Sequence, residues 1–134
     1  MGSSTYRSKE ENKRSLTAFG LNNNSNMQKK AMLSQPMAGK SNEEIVATRE
    51  KAIAFLEKKG YKVVNTLFTD EWYSKEKMQE RGVVQIPLCF LAKSLESMSL
   101  CHVVYFCKGW ESARGCRIEH DAAVAYGLEI IYEN

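Results

Sequence analysis

A chain of 134 residues, 43% hydrophobic and 26% charged, has the apolar content for one domain with a core and no room for a second. No apolar run nears the ~20 residues of a bilayer span and no apolar segment follows the N-terminal charges, so the sequence argues against a membrane or secreted class and predicts a cytoplasmic protein. Of the net charge of +3, Met1 to Asn26 carries four basic and two acidic residues, leaving 15 basic against 14 acidic, or +1; a near-neutral domain lacks the basic stripe that nucleic acid requires.

Residues 1–26, rich in Ser, Asn, Lys and Glu and ending in "NNNSN", cannot bury enough apolar surface to fold alone and read as a flexible tail. The opening "MGSS" also has the look of an expression leader, which would make Met27 the start, with 27–134 as the domain. Leu16, Phe19 and Leu21 leave a partner-docking tail as the alternative.

From Lys30, short apolar runs alternate with amphipathic patterns, as in parallel α/β proteins. "AMLS" (31–34) reads as a first strand. Ser41 with Glu44 spells a capping box, and Ile45, Ala52, Ile53 and Leu56 mark the apolar face of a helix that Gly60 stops. "YKVVNTLF" (61–68) is a second strand. Residues 69–82 are polar and poorly periodic; Leu88, Leu91, Ala92, Leu95 and Met98 then repeat at helical spacing. "HVVYFC" (102–107) is a third strand, apolar enough to be central. The loop "KGWESARG" leads into a helix carrying Ile118, Ala122 and Ala125, which Gly127 ends before a fourth strand, "LEIIY" (128–132). The expected fold is a three-layer α/β domain, flavodoxin-like or Rossmann-like, with about four parallel strands and helices on both faces. Ligands of such sheets bind beyond the carboxyl ends of the strands, so the loops after strands one and three matter most.

The first of these loops, "SQPMAGKS", ends like a phosphate-binding P-loop. It has serine at position 34 where the first glycine belongs, and Pro36 removes an N–H from the cradle. No apolar strand ends in the aspartate that would help hold Mg²⁺. Two readings stand: a tight βα turn with Gly39 for backbone freedom and Ser41 as cap, or a loop whose N–H groups and following helix N-terminus face an anionic or sugar portion of a ligand without a metal. The four cysteines, Cys89, Cys101, Cys107 and Cys116, form no CxxC pair and read as free thiols; Cys116 and His120 are one turn apart, but no second pair completes a metal site.

The densest polar constellation is "GWESARGCRIEHDAA", centred on Glu119. Near the start of a helix, Glu119 is expected to feel the positive end of the dipole, with a lowered pKa that keeps it ionised. An ionised carboxylate in a cleft can attack an electrophilic sugar carbon; the alternative is that it complements the dipole or pairs with Arg117 or His120.

Taken together, "SQPMAGKS", "KSLESM" and "VVYFCKGWESARGCRIEHDAAVAYGLEIIY" resemble a bacterial and phage family of small domains of unknown function that looks like the nucleoside 2-deoxyribosyltransferases. The resemblance spans about Lys30 to Glu133. It implies a nucleoside-binding first loop at Ser34, Gln35, Pro36 and Met37, and a nucleophile at Glu119, following Gly115 and preceding Ala122 and Ala123. It implies attack on C1′, a covalent deoxyribosyl-enzyme, and a homo-oligomer with sites completed by a neighbour. The chain departs from the family pattern in three places: Ser94 stands where an aspartate assists the departing base, His102 where an acid begins the third strand, and Ala113 where an aspartate is common.

Trp110 either stacks on a base or caps the core. Arg114 and Arg117 either hold a phosphate or are solvated charges. Trp72 and Tyr73 form a lid or pack on a neighbouring subunit, and Tyr126 is expected to pack. The expected site is therefore Glu119 as catalytic residue, with Ser34, Gln35, Pro36, Met37, Gly39, Ser94, Gly109, Trp110 and Gly115 binding a nucleoside or nucleotide, and with no metal, cofactor, nucleic acid or membrane. The expected activity is cleavage or transfer at an N-glycosidic bond; the alternative is a catalytically silent, phage-related module that senses or sequesters a nucleotide.

Overall fold

The computed structural model describes residues 28–64 and 70–134, so the expected tail lies outside the described residues. Four strands, β1 (Lys30–Ser34), β2 (Lys62–Val63), β3 (Val103–Phe106) and β4 (Glu129–Tyr132), form one sheet in the order β2-β1-β3-β4. All three pairings are parallel; Ala31 faces Val63 on one side and Val103 on the other, and Val103 faces Glu129. The central strands β1 and β3 are buried from Ala31 to Ser34 and along their whole length respectively, as runs covered on both faces must be. Only the start of the expected second strand is seen as Lys62–Val63, and 65–69 lie outside the described residues.

The helices are α1 (Asn42–Lys58), α2 (Lys75–Glu80), α3 (Ile86–Met98) and α4 (Arg114–Ala125), with single 3₁₀ turns at Glu71–Tyr73 and Trp110–Ser112. Because side chains alternate along a strand, the sheet sorts its residues into two layers. Ala31, Leu33, Val103 and Tyr105 point to one face and pack on Ala52 and Leu56 of α1. Met32, Val104 and Phe106 point to the other and pack on Met98 of α3 and Ala123 of α4, with Leu95 and Ala122 beside them. The three-layer α/β expectation holds.

Chain direction reverses across the sheet at β1 and β3. The β1–α1–β2 unit runs toward one edge and β3–α4–β4 toward the other, so right-handed crossovers place α1 and α4 on opposite faces. The loops after β1 and β3 therefore part over a crevice at the switch point, where open α/β sheets take their ligands.

Three local expectations change. The buried face of α4 carries Cys116, Glu119 and Ala123, while Ile118 is 41% exposed, so the helix is rotated away from the Ile118–Ala122–Ala125 face its apolar spacing suggests. Tyr126 does not pack; it is 72% exposed at the end of α4. Leu88 is exposed as well: the buried residues of α3, Ser97 and Met98, lie in its last turn, and its first turn is on the surface. The aperiodic stretch also hides a helix, α2, which Ser74 caps by accepting from the Lys77 N–H at 3.2 Å. Among the described residues no helix is long and apolar enough to cross a membrane.

Candidate functional site

Ser34 is the last residue of β1. Alternation puts its side chain on the same face as Met32, toward α3 and α4, at the carboxyl edge of the sheet. Its hydroxyl donates to Glu119 Oε1 at 2.5 Å, a fully buried contact between residues 85 apart in sequence. The Ser94 hydroxyl of α3 also acts on this carboxylate, holding its pKa down, and Cys116 lies one turn before Glu119 on the cavity wall. Three elements thus meet at one acid. Glu119 is only 8% exposed.

The carboxylate lines a cavity of ≈ 490 Å³ at the switch point. Gln35, Pro36, Met37 and Ala38 of the β1–α1 loop form one wall; Ser112, Ala113, Arg114, Gly115 and Cys116 form the opposite one; Ser94 and Arg49 close the sides. A Cβ built on Gly115 would meet nothing within 4 Å, so this glycine opens the wall rather than filling it. Among the described residues that line it, only Glu119 is a carboxylate. The ion pairs among the described residues are Lys77–Glu80 and Lys93–Glu96, both on the surface, and Glu119 belongs to neither.

Burial pushes the Glu119 pKa up from its ordinary value, with the hydrogen bonds from Ser34 and Ser94 opposing. The dipole expectation of a lowered pKa is therefore corrected. Glu119 is the sixth residue of α4, beyond the first turn to which the dipole effect is confined, and desolvation of the charge outweighs two hydroxyl donors. Pairing with Arg117 or His120 is not what holds it: Arg117 lines a different cavity, and His120 Nε2 lies 2.7 Å from the Tyr132 hydroxyl.

The expected site residues divide. Ser34, Gln35, Pro36, Met37, Ser94, Gly115 and Glu119 converge on the cavity or its carboxylate. Gly39, Gly109 and Trp110 are not among its lining residues. Gly109 adopts φ 90°, a left-handed backbone that favours glycine, while a Cβ there would make only ordinary contact with Pro36 Cγ at 3.6 Å, so conformation rather than space selects it. Trp110 packs on Phe106 with ring centroids 5.4 Å apart and stacks on His120 at 4.1 Å, beside the core rather than in the cavity. His102 lies at the opposite end of the sheet, where its Nδ1 accepts from the Lys30 N–H at 3.0 Å. Trp72 lies under the Arg81 guanidinium, 4.0 Å from the ring centre, and away from the cavity.

The two helix N-termini differ. At α1 the capping box is complete, with Ser41 Oγ accepting from the Glu44 N–H at 3.1 Å and Glu44 Oε1 accepting from the Ser41 N–H at 2.8 Å, and the first turn is acidic. That end is occupied by its own side chains and disfavours an anion. The α4 end has Ala113 at the cap position, no side-chain cap and no acid in its first turn. Cys116, read in the sequence only as a free thiol and half of an incomplete metal pair, and Arg49, not singled out there, also line the cavity. Cys116 is buried, and burial pushes its thiol up. Arg49 is 8% exposed on α1, and burial pulls its pKa down from the usual arginine value. Its trace in the sequence is an arginine within the stripe Ile45, Arg49, Ala52, Leu56, where only apolar residues are expected.

The family described as Domain of unknown function (DUF4406) matches residues 29–132, and the chain belongs to it. No curated protein and no solved structure matches the chain.

Proposed function

We propose that this domain binds a nucleoside or nucleotide in the switch-point cavity and cleaves or transfers at its N-glycosidic bond, with Glu119 as nucleophile. One observation carries the reading: a buried carboxylate held by a serine hydroxyl, in no ion pair among the described residues, lining an open cavity between the two loops that a parallel sheet uses for ligands. The likeness of "SQPMAGKS" and the Glu119 segment to nucleoside 2-deoxyribosyltransferases supports the same assignment.

In the reaction, an oxygen of the ionised Glu119 bonds to C1′ as the C1′–N bond breaks. The base leaves with the bonding electrons and takes a proton from solvent. Water or a second base then attacks C1′, displaces the carboxylate and releases one proton. Ser34 holds the carboxylate in place through the hydrogen bond to Oε1. The base must be a competent leaving group, since among the described residues no second carboxylate lines the cavity to protonate it. A homo-oligomer belongs to this reading, supported by the exposed Ile86 and Leu88 on the helix that carries Ser94.

A second reading, a silent nucleotide-binding module, is favoured by one observation: a serine hydroxyl from Ser94, not an acid, is the other partner of Glu119. Chromatography for free base after incubation with 2′-deoxynucleosides and their 5′-phosphates separates the two. Base release that is lost in Glu119→Gln supports the enzyme. Ligand-dependent stabilisation without base release supports the binder, and neither response refutes both.

A further inference from the structure

We infer that the groove between the C-terminal turns of α3 and α4 is a docking site for the chain's own N-terminal segment, seated through Phe19 and Leu21, which lie outside the described residues. The groove encloses ≈ 320 Å³ and is lined by Leu95, Met98, Ser99, Ala122, Tyr126 and Leu128. None of these carries a charge, and the Ser99 hydroxyl is already engaged by the Glu96 carbonyl at 2.5 Å. The floor is the core layer itself, where Met98, Leu95, Ala122 and Leu128 pack with Val104 and Phe106. Tyr126 on the rim, Val124 two residues before it and Leu100 next to Ser99 are each more than half exposed. A concave surface that opens onto the core and offers so little to a polar ligand takes apolar side chains.

The occupant follows from where the described chain begins. The groove lies at the amino end of the sheet, opposite to Glu119: Ser99 ends α3 ahead of β3, and Leu128 directly precedes β4. Gln28 and Lys29 stand at that same end, ahead of β1. There the His102 N–H donates to the Lys30 carbonyl at 2.8 Å and the Lys30 N–H to His102 Nδ1 at 3.0 Å, and the neighbouring Cys101 packs in the layer that floors the groove. From the start of β1 to the groove is about one strand spacing, ~5 Å, and one helix layer, ~10 Å. Twenty-seven residues precede Gln28, with Leu21 seven and Phe19 nine positions before it. Those lengths of chain reach up to ~23 and ~30 Å, so both side chains span the gap. A tethered segment meets its site at an effective concentration on the order of millimolar, which lets two apolar anchors hold where a free peptide would not. A second copy fits less well, because a two-fold dimer centred here sets groove against groove and fills neither.

The test uses the full chain, with methionine methyl NMR and chymotrypsin cleavage as the two readouts. Phe19→Ala and Leu21→Ala should each shift the Met98 methyl signal and leave that of Met37, which lines the Glu119 cavity at the other end of the sheet. Cleavage after Phe19 should be at least ~10-fold slower in wild type than in Tyr126→Glu, since proteolysis tracks the undocked population. Tyr126 is 72% exposed, so Tyr126→Glu charges the groove without disturbing the core. A Met98 signal unmoved by both tail variants, or equal cleavage after Phe19 in wild type and Tyr126→Glu, overturns the inference. Slower cleavage at higher protein concentration, or a sedimentation mass that falls in Tyr126→Glu but not in Phe19→Ala, gives the groove to a second copy and overturns it as well. The base-release assay for Glu119 is independent of each of these outcomes.

Discussion

Replacing Glu119 with glutamine should stabilise the fold above the ordinary carboxylate range. The residue is 8% exposed, and burial raises its pKa above the unfolded value of 4.5 despite two hydroxyl donors. A folded acid with a raised pKa binds more protons than the unfolded chain, so stability falls as pH climbs from 4.5 through the raised value and stays low beyond it. Each tenfold displacement of proton affinity corresponds to ~1.4 kcal/mol, and for a domain of this size 1 kcal/mol is worth roughly 4 °C in Tm. Glutamine keeps the shape and an acceptor for Ser34 but carries no charge. Glu119→Gln is therefore expected to melt above wild type at pH 8, with the difference closing toward pH 4. Thermal unfolding followed by circular dichroism at pH 4, 6 and 8 reads this directly. A variant less stable than wild type at pH 8, or a difference that does not change with pH, would refute the claim that the carboxylate bears an uncompensated cost of burial.

Ser34→Ala removes one of the two groups that hold the Glu119 pKa down. It should lower stability by about 1 to 3 kcal/mol and move the acidic limb of any base-releasing activity to higher pH, measured by melting and by a pH–rate profile. Ser41→Ala breaks the capping box of α1 and should cost about 1 kcal/mol, with no change in ligand affinity, because that end lies outside the cavity lining. Burial pushes the Cys107 thiol up to about 12 and that of Cys101 up to about 11, and raises that of Cys116. All three should resist alkylation at pH 8 in the folded protein and react in denaturant, as counted by mass spectrometry.

Elements defined by local chemistry were legible in the sequence. The α1 start follows from Ser41 and Glu44 three residues apart, and the central strands from unbroken apolar runs, because each depends on neighbours in the chain. Glu119 and the two loops could be placed because a parallel sheet has only one productive end. The electrostatic state of Glu119 could not be read, since its environment comes from Ser34 and Ser94 on other elements. The orientation of α4 was hidden for a related reason. Apolar spacing favours Ile118, whereas packing buries the face with small Ala123, Cys116 and the carboxylate. Arg49 looked like one charge among many in "ATREK" until its helix was docked. Trp110 fell on the core side because the turn that follows Gly109 carries its ring onto Phe106 and His120.

The most direct measurement is the intact mass of the protein quenched in acid during incubation with 2′-deoxynucleoside 5′-monophosphates, followed by peptide mapping. The account predicts a glycosyl adduct on the peptide that contains Glu119, formed with release of free base and absent in Glu119→Gln. Base release without that adduct, or with the adduct on another residue, would contradict Glu119 as the nucleophile.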